Sequence, residues 1–299
     1  MPITPACPSP TRRSLLLAAA SLPLVHACTA LPAAARSHEI AEARLRQLEA
    51  SLDGRLGVYA LDTGSGARLG FRGDERFPMC STFKAVLAGA ILERSAREPD
   101  LLQRRIRYAA GELVSYSPIT EGHVKDGMTV AGLCDAAVRY SDNSAANLLL
   151  DIVGGPASLT GFARTQGDER FRLDRWETAL NTAEPGDPRD TTTPQAMVIL
   201  LQRLCLGDGL PQAQRLQLQD WLRRNTTGAT RIRGGVPAGW QVGDKTGTGP
   251  YGTANDVGLI WPPQRAPLVL AIYTTRRGQG AEPRNDILAA AARVVMEAL

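Results

Sequence analysis

Phe77-Pro78-Met79-Cys80-Ser81-Thr82-Phe83-Lys84 runs straight into Ala85-Val86-Leu87-Ala88-Gly89-Ala90-Ile91-Leu92. The second half is apolar and alanine-rich, so it predicts a buried helix, and Phe77-Pro78 places the start of that helix near Ser81. Upstream, Ile40, Leu45, Leu48 and Leu52 recur near a helical period, and Asp53-Gly54 ends the pattern. Two strand-like runs follow, 57–61 and 67–71, joined by Thr63-Gly64-Ser65-Gly66, which is a hairpin signal. Beyond Leu92, helical patterns and loops continue to about Arg224. Strand-like runs then return at 240–242, 256–261 and 268–274, the last two around Pro262-Pro263, and 286–299 reads as a helix. Sheet-forming segments thus come from both ends of the chain and helical ones from its middle. This predicts an α/β (α+β) chain of two lobes. Residues 36–74 and 225–299 build an antiparallel sheet covered by the terminal helices, and residues 75–224 form an inserted helical lobe, with a cleft between the two.

At 299 residues, 43% hydrophobic and 21% charged, the chain can bury a sizeable core. A formal net charge of +4 over scattered Lys and Arg is too weak for a nucleic-acid footprint, so no nucleic-acid partner is expected. Residues 1–35 read as an export signal, because Arg12-Arg13 precede the short apolar runs 15–20 and 22–25. Those runs are too short to span a bilayer permanently. Thr11-Arg12-Arg13-Ser14-Leu15-Leu16 resembles a twin-arginine signal. Two processing sites compete: Leu24-Val25-His26-Ala27-Cys28 resembles a lipobox that would lipidate Cys28, and Ala33-Ala34-Ala35 offers an ordinary small-residue cleavage site. Either implies a periplasmic protein. Beyond the leader the cysteines are Cys80, Cys134 and Cys205, an odd count that argues against a disulfide framework. With no C-x-x-C pair and only His38 and His123 beyond the leader, neither a metal nor another cofactor is expected.

Ser81 and Lys84 are three residues apart and share one helix face. A serine hydroxyl needs a nearby base to act as a nucleophile, a lysine one turn away can relay its proton, and a helix N-terminus stabilises developing negative charge. Alone, S-x-x-K is common by chance. Ser141-Asp142-Asn143 follows Tyr140 and reads by itself as a helix N-cap. Lys245-Thr246-Gly247-Thr248-Gly249 follows the strand candidate at 240–242 and reads by itself as a strand ending in a turn. There Gly247 would let a ligand lie against the strand edge, and the Thr248 N–H could donate to an oxyanion. The three motifs in this order are the trio of class A β-lactamases and penicillin-binding proteins.

From His38 to Leu299 the chain resembles the class A β-lactamases, and within them the chromosomal Pen-type enzymes of Gram-negative bacteria. The resemblance implies the two-lobed fold with a five-stranded antiparallel sheet, and a monomer acting on small β-lactams. It implies that Ser81 is the nucleophile, that Lys84 and Ser141 shuttle protons, and that Asn143 holds the substrate's side-chain amide. Lys245, Thr246 and Thr248 would bind the substrate carboxylate. The N–H groups of Ser81 and Thr248 would form the oxyanion hole, and Tyr116 matches an aromatic gatepost. Arg175-Trp176-Glu177-Thr178-Ala179-Leu180-Asn181 matches the family's Ω-loop, in which Glu177 and Asn181 hold a water and Arg175 pairs with Asp190. A D-alanyl-D-alanine peptidase or a non-hydrolytic penicillin sensor is the alternative, and the Glu177 and Asn181 pair argues against both.

Departures from the family pattern carry their own expectations. Thr178 replaces the proline that many relatives carry, so a cis bond before it would need outside support. Ala88 stands opposite Cys134 where some relatives have a disulfide, and Gly249 stands where carbapenem-hydrolysing relatives place the partner of Cys80, so neither disulfide is expected. Ala254 stands where other relatives carry an arginine, and the resemblance gives that charge to Arg231.

Overall fold

The computed structural model describes residues 33–299, with side chains from Arg36 onward. The export-signal residues Arg12, Arg13 and Cys28 lie outside the described residues, and Ala33 opens helix α1 (Ala33–Leu52). Leu45 and Leu52 of α1 are fully buried, as its helical period requires. The hairpin follows as β1 (Gly54–Asp62) and β2 (Arg68–Phe71). The chain then leaves the sheet for α2 (Phe83–Ser95), α3 (Val130–Arg139), α4 (Asn143–Val153), α5 (Pro156–Thr165), α6 (Pro194–Cys205) and α7 (Gln212–Arg223). It returns as β3 (Gln241–Gly249), β4 (Thr253–Trp261) and β5 (Leu268–Arg276), and α8 (Asn285–Ala298) closes it.

The five strands form one antiparallel sheet in the order β2-β1-β5-β4-β3, with Gly54 opposite Arg276 and Asp62 opposite Leu268. Successive side chains of a strand point to opposite faces. In β5, Leu268, Leu270 and Ile272 therefore join a core with Leu45, Ile287 and Val295 of the terminal helices. Val269, Ala271 and Tyr273 join the other core, with Phe77, Phe83 and Leu87. The sheet is thus buried on both faces, one under α1 and α8 and the other against the helical lobe. Each fully buried Leu or Ile contributes roughly 1.5–3 kcal/mol.

Two local features differ from the sequence reading. The strand expected at 240–242 runs on to Gly249, because its backbone pairs with β4 from Gln241 opposite Trp261 to Gly249 opposite Thr253. Asp244, Lys245 and Thr246 are polar, and periodicity cannot anticipate that tertiary contacts bury all three. The middle of the chain also carries two short ribbons, Phe77–Pro78 with Thr191–Thr192 and Arg105–Ile106 with Met128–Thr129. Among the described residues, no helix is long and apolar enough to cross a membrane.

Candidate active site

Ser81 lies in a single 3-10 turn, Cys80–Thr82, that leads into α2. The turn is fixed from three sides. Met79 N–H donates to Asp190 O at 2.9 Å, Asn255 Nδ2 donates to Pro78 O at 2.8 Å, and Thr82 Oγ1 donates to Met79 O at 2.9 Å. Behind it, Cys80 is buried with a left-handed φ of 44°, and burial pushes its thiol pKa up to about 12, which makes it inert. Gly247 on β3 is packed so closely that a Cβ there would come within 2.6 Å of Met79 O, so only glycine lets the strand edge approach the serine turn.

One turn into α2, Lys84 is fully buried. Its Nζ donates to Ser141 O at 2.8 Å and to Asn143 Oδ1 at 2.6 Å, and lies 2.9 Å from Glu177 Oε1. Burial lowers its pKa, and the Glu177 carboxylate offsets part of that effect. Between α3 and α4, Asp142 is the N-cap of α4 and accepts from Ala145 N–H at 2.8 Å, so the capping role read from the motif belongs to its middle residue. Its neighbours face the cleft: Ser141, at φ 61°, accepts from Lys245 Nζ at 3.1 Å, and Asn143 Nδ2 donates to Ser115 O at 2.8 Å. Lys245 is fully buried, and burial together with the charge of Lys84 holds its pKa well below the ordinary lysine value.

Glu177 and Asn181 sit on a loop whose ends are tied by the Arg175 and Asp190 ion pair at 2.5 Å. Asp190 is buried, and its Oδ1 also accepts from the Asp174 and Arg175 N–H groups at 2.8 and 3.0 Å. The Glu177–Thr178 peptide is cis. Asn147 of α4 holds the backbone there, accepting from Glu177 N–H and donating to Glu177 O, both at 2.9 Å. Asn181 Nδ2 donates to Glu177 Oε2, while Oε1 faces Lys84 as an ion pair and accepts no aligned hydrogen bond from the described residues.

These elements enclose a cleft of about 400 Å³ lined by Ser81, Tyr116, Ser141, Asn143, Asn181, Thr227, Arg231, Thr246, Gly247 and Thr248. Lys84, Glu177 and Lys245 are buried in its wall, and all the expected site residues are therefore brought together. Arg231 is itself buried. Its guanidinium donates to Gly247 O and Asn255 O, both at 2.8 Å, to Thr248 Oγ1 at 2.7 Å and to Asn285 Oδ1 at 2.9 Å, so it buttresses the β3 edge beside Ala254. Tyr116, at 61% exposure, stands at the mouth of the cleft. Among the described residues no group of His, Cys, Asp and Glu is arranged to hold a metal ion.

Sequence reasoning missed Asn147, Thr227 and a buried acid pair, Asp244 and Asp256. Asn147 was accessible in principle, since it lies four residues after Asn143 on the same face of α4. Thr227 and the acid pair meet the site across long stretches of sequence and carried no local signal.

The family model described as Beta-lactamase enzyme family matches residues 40–299. The chain is 52% identical to the carbapenem-hydrolyzing β-lactamase KPC of Klebsiella oxytoca, over 96% of this chain and 97% of that one. It is 51% identical to β-lactamase Toho-1 of Escherichia coli, over 95% and 97% respectively. The chain belongs to the class A β-lactamase family. Its backbone is similar to that of the β-lactamase from Desulfarculus baarsii DSM 2075, with a TM-score of 0.86, 64% identity, and coverage of 87% of this chain and 97% of that one. A variant of the class A β-lactamase of the last common ancestor of Gram-negative bacteria gives a TM-score of 0.85 at 57% identity, covering 87% and 98%. In this β-lactamase Cys80, Cys134 and Cys205 are all free and buried, so the described residues hold no disulfide.

Proposed function

We propose that this β-lactamase hydrolyses the β-lactam amide of penicillins and cephalosporins through an acyl-enzyme on Ser81, and so confers resistance to them. The observation that carries the reading is the pairing of Glu177 with Asn181 on one side and Lys84 on the other, next to the cleft that Ser81 opens into. Ser81 Oγ attacks the lactam carbonyl and its proton passes into the Lys84, Ser141 and Lys245 network. The N–H groups of Ser81 and Thr248 stabilise the oxyanion, each worth roughly 2.7–4 kcal/mol of barrier. As the C–N bond breaks, Ser141 passes a proton to the ring nitrogen. Lys245, Thr246 and Thr248 bind the substrate carboxylate, with Arg231 adding charge, and Asn143 holds the side-chain amide. A water then attacks the ester carbonyl, Glu177 takes its proton while Asn181 orients it, and the ester C–O bond breaks as Ser81 Oγ regains a proton from Glu177 through Lys84 and leaves as the hydroxyl. The protein works as a monomer exported to the periplasm, with Cys28 as a lipid anchor if processing occurs there rather than near Ala35.

Glu177→Ala tests this directly. Mixed with a penicillin, it is expected to consume about one equivalent of the drug and then stall, with the ring-opened adduct on Ser81 visible by intact mass, because deacylation loses a general-base factor of about 10² to 10⁴. Near-normal turnover in that variant would overturn the role of Glu177.

A further inference from the structure

Thr227 has no part in the scheme above, yet its hydroxyl lies 2.5 Å from that of Thr246 in the cleft. We infer that Thr227 sets which way the Thr246 hydroxyl points, and so acts as a positioning residue for capture of the substrate carboxylate. The inference rests on the β-lactamase reading of the site.

The direction of each hydrogen bond follows from the neighbours. Asn225 Nδ2 donates to Asp244 Oδ2 at 2.6 Å, and Arg233 Nε donates to Asp244 Oδ1 at 2.6 Å, so the amide of Asn225 is fixed with its oxygen toward Thr227. That oxygen accepts from Thr227 N–H at 3.1 Å and from Thr227 Oγ1 at 2.9 Å. A hydroxyl has one proton. With the Thr227 proton on Asn225, the short contact to Thr246 has Thr246 as donor, so the Thr246 proton is spent on Thr227 Oγ1. A carboxylate only accepts hydrogen bonds, so binding one requires Thr246 to turn its proton to the anion. Thr227 can then turn its own proton from Asn225 to Thr246 Oγ1, while its N–H continues to satisfy the Asn225 oxygen. Two hydroxyl rotations complete the change, no heavy atom has to move, and no proton is gained or lost. The relay ends on Asp244 and Arg233, so the rigid part of the network lies behind the cleft and the two rotors at its wall.

Thr227→Val keeps the shape and removes the relay. On a cephalosporin with a free carboxylate, KM is expected to rise about three- to tenfold, the range for one neutral hydrogen bond, with kcat changed less than twofold. Thr227→Ser is expected to restore KM. On the same cephalosporin esterified at that carboxylate, Thr227→Val and the parent should differ less than twofold in kcat/KM. An unchanged KM in Thr227→Val, a Thr227→Ser variant as impaired as the valine, or an equal loss on the ester would each overturn the relay. Failure of the parent to hydrolyse the free cephalosporin would instead overturn the enzymatic reading beneath it.

Discussion

Arg231 carries a structural part in addition to the one first read for it. By family resemblance it supplies a charge for the substrate carboxylate, yet its guanidinium is spent on Gly247 O, Asn255 O, Thr248 Oγ1 and Asn285 Oδ1. Both effects act on carboxylate capture, one through charge and one through the placement of Thr248. Arg231→Ala is expected to lower kcat/KM for benzylpenicillin about ten- to hundredfold, corresponding to roughly 1.5–3 kcal/mol for a charged hydrogen bond. Arg231→Lys keeps the charge but loses the fork, and it is expected to recover only a small part of that loss. Full recovery by lysine would show that charge alone matters. Family resemblance placed Arg231 at the site, as the charge that Ala254 does not supply. It could not disclose the carbonyls that Arg231 holds, since those lie on β3 and β4 and meet it only in the folded sheet.

At the level of elements, legibility followed the source of burial. Helices α1 and α8 and strands β1, β4 and β5 were readable because they carry their own apolar residues, at helical spacing or in strand-length runs, whereas β3 was cut short because its buried residues include Asp244, Lys245 and Thr246. The acid pair joins β3 to β4. Asp256 is fully buried, and burial followed by the neighbouring charge of Asp244 holds its pKa well above the usual value of 3.8. The folded protein therefore keeps a proton at pH values where the unfolded chain has released it. Stability from this group is fully present below the usual carboxylate range and is lost as pH rises toward the folded value. Asp256→Asn fixes the neutral form with nearly the same shape. Thermal midpoints measured from pH 4 to 7 should fall less with rising pH in Asp256→Asn than in the parent, and parallel curves would mean that Asp256 is ionised in the fold.

Across the whole molecule, the sheet is the common wall of two cores. Leu45 belongs to the core under the terminal helices, while Trp221 and Trp261 pack in or against the other. Leu45→Ala is expected to cost about 2–5 kcal/mol. Because the strands serve both cores, tryptophan fluorescence and far-ultraviolet circular dichroism should still report one coincident transition at lower denaturant. Separate midpoints for the two probes would show that the lobes unfold independently.

The pairing of β1 with β5 also bears on how the protein is made. Gly54 lies opposite Arg276 and Asp62 opposite Leu268, so the first long strand of the sheet finds its central neighbour only after nearly all the chain has left the ribosome. Contacts this distant along the sequence form slowly, because the loop between them must close first. During synthesis β1 and β2 can exist only as a hairpin with both edges open, and the wall against which Ser81 is finally positioned is completed last.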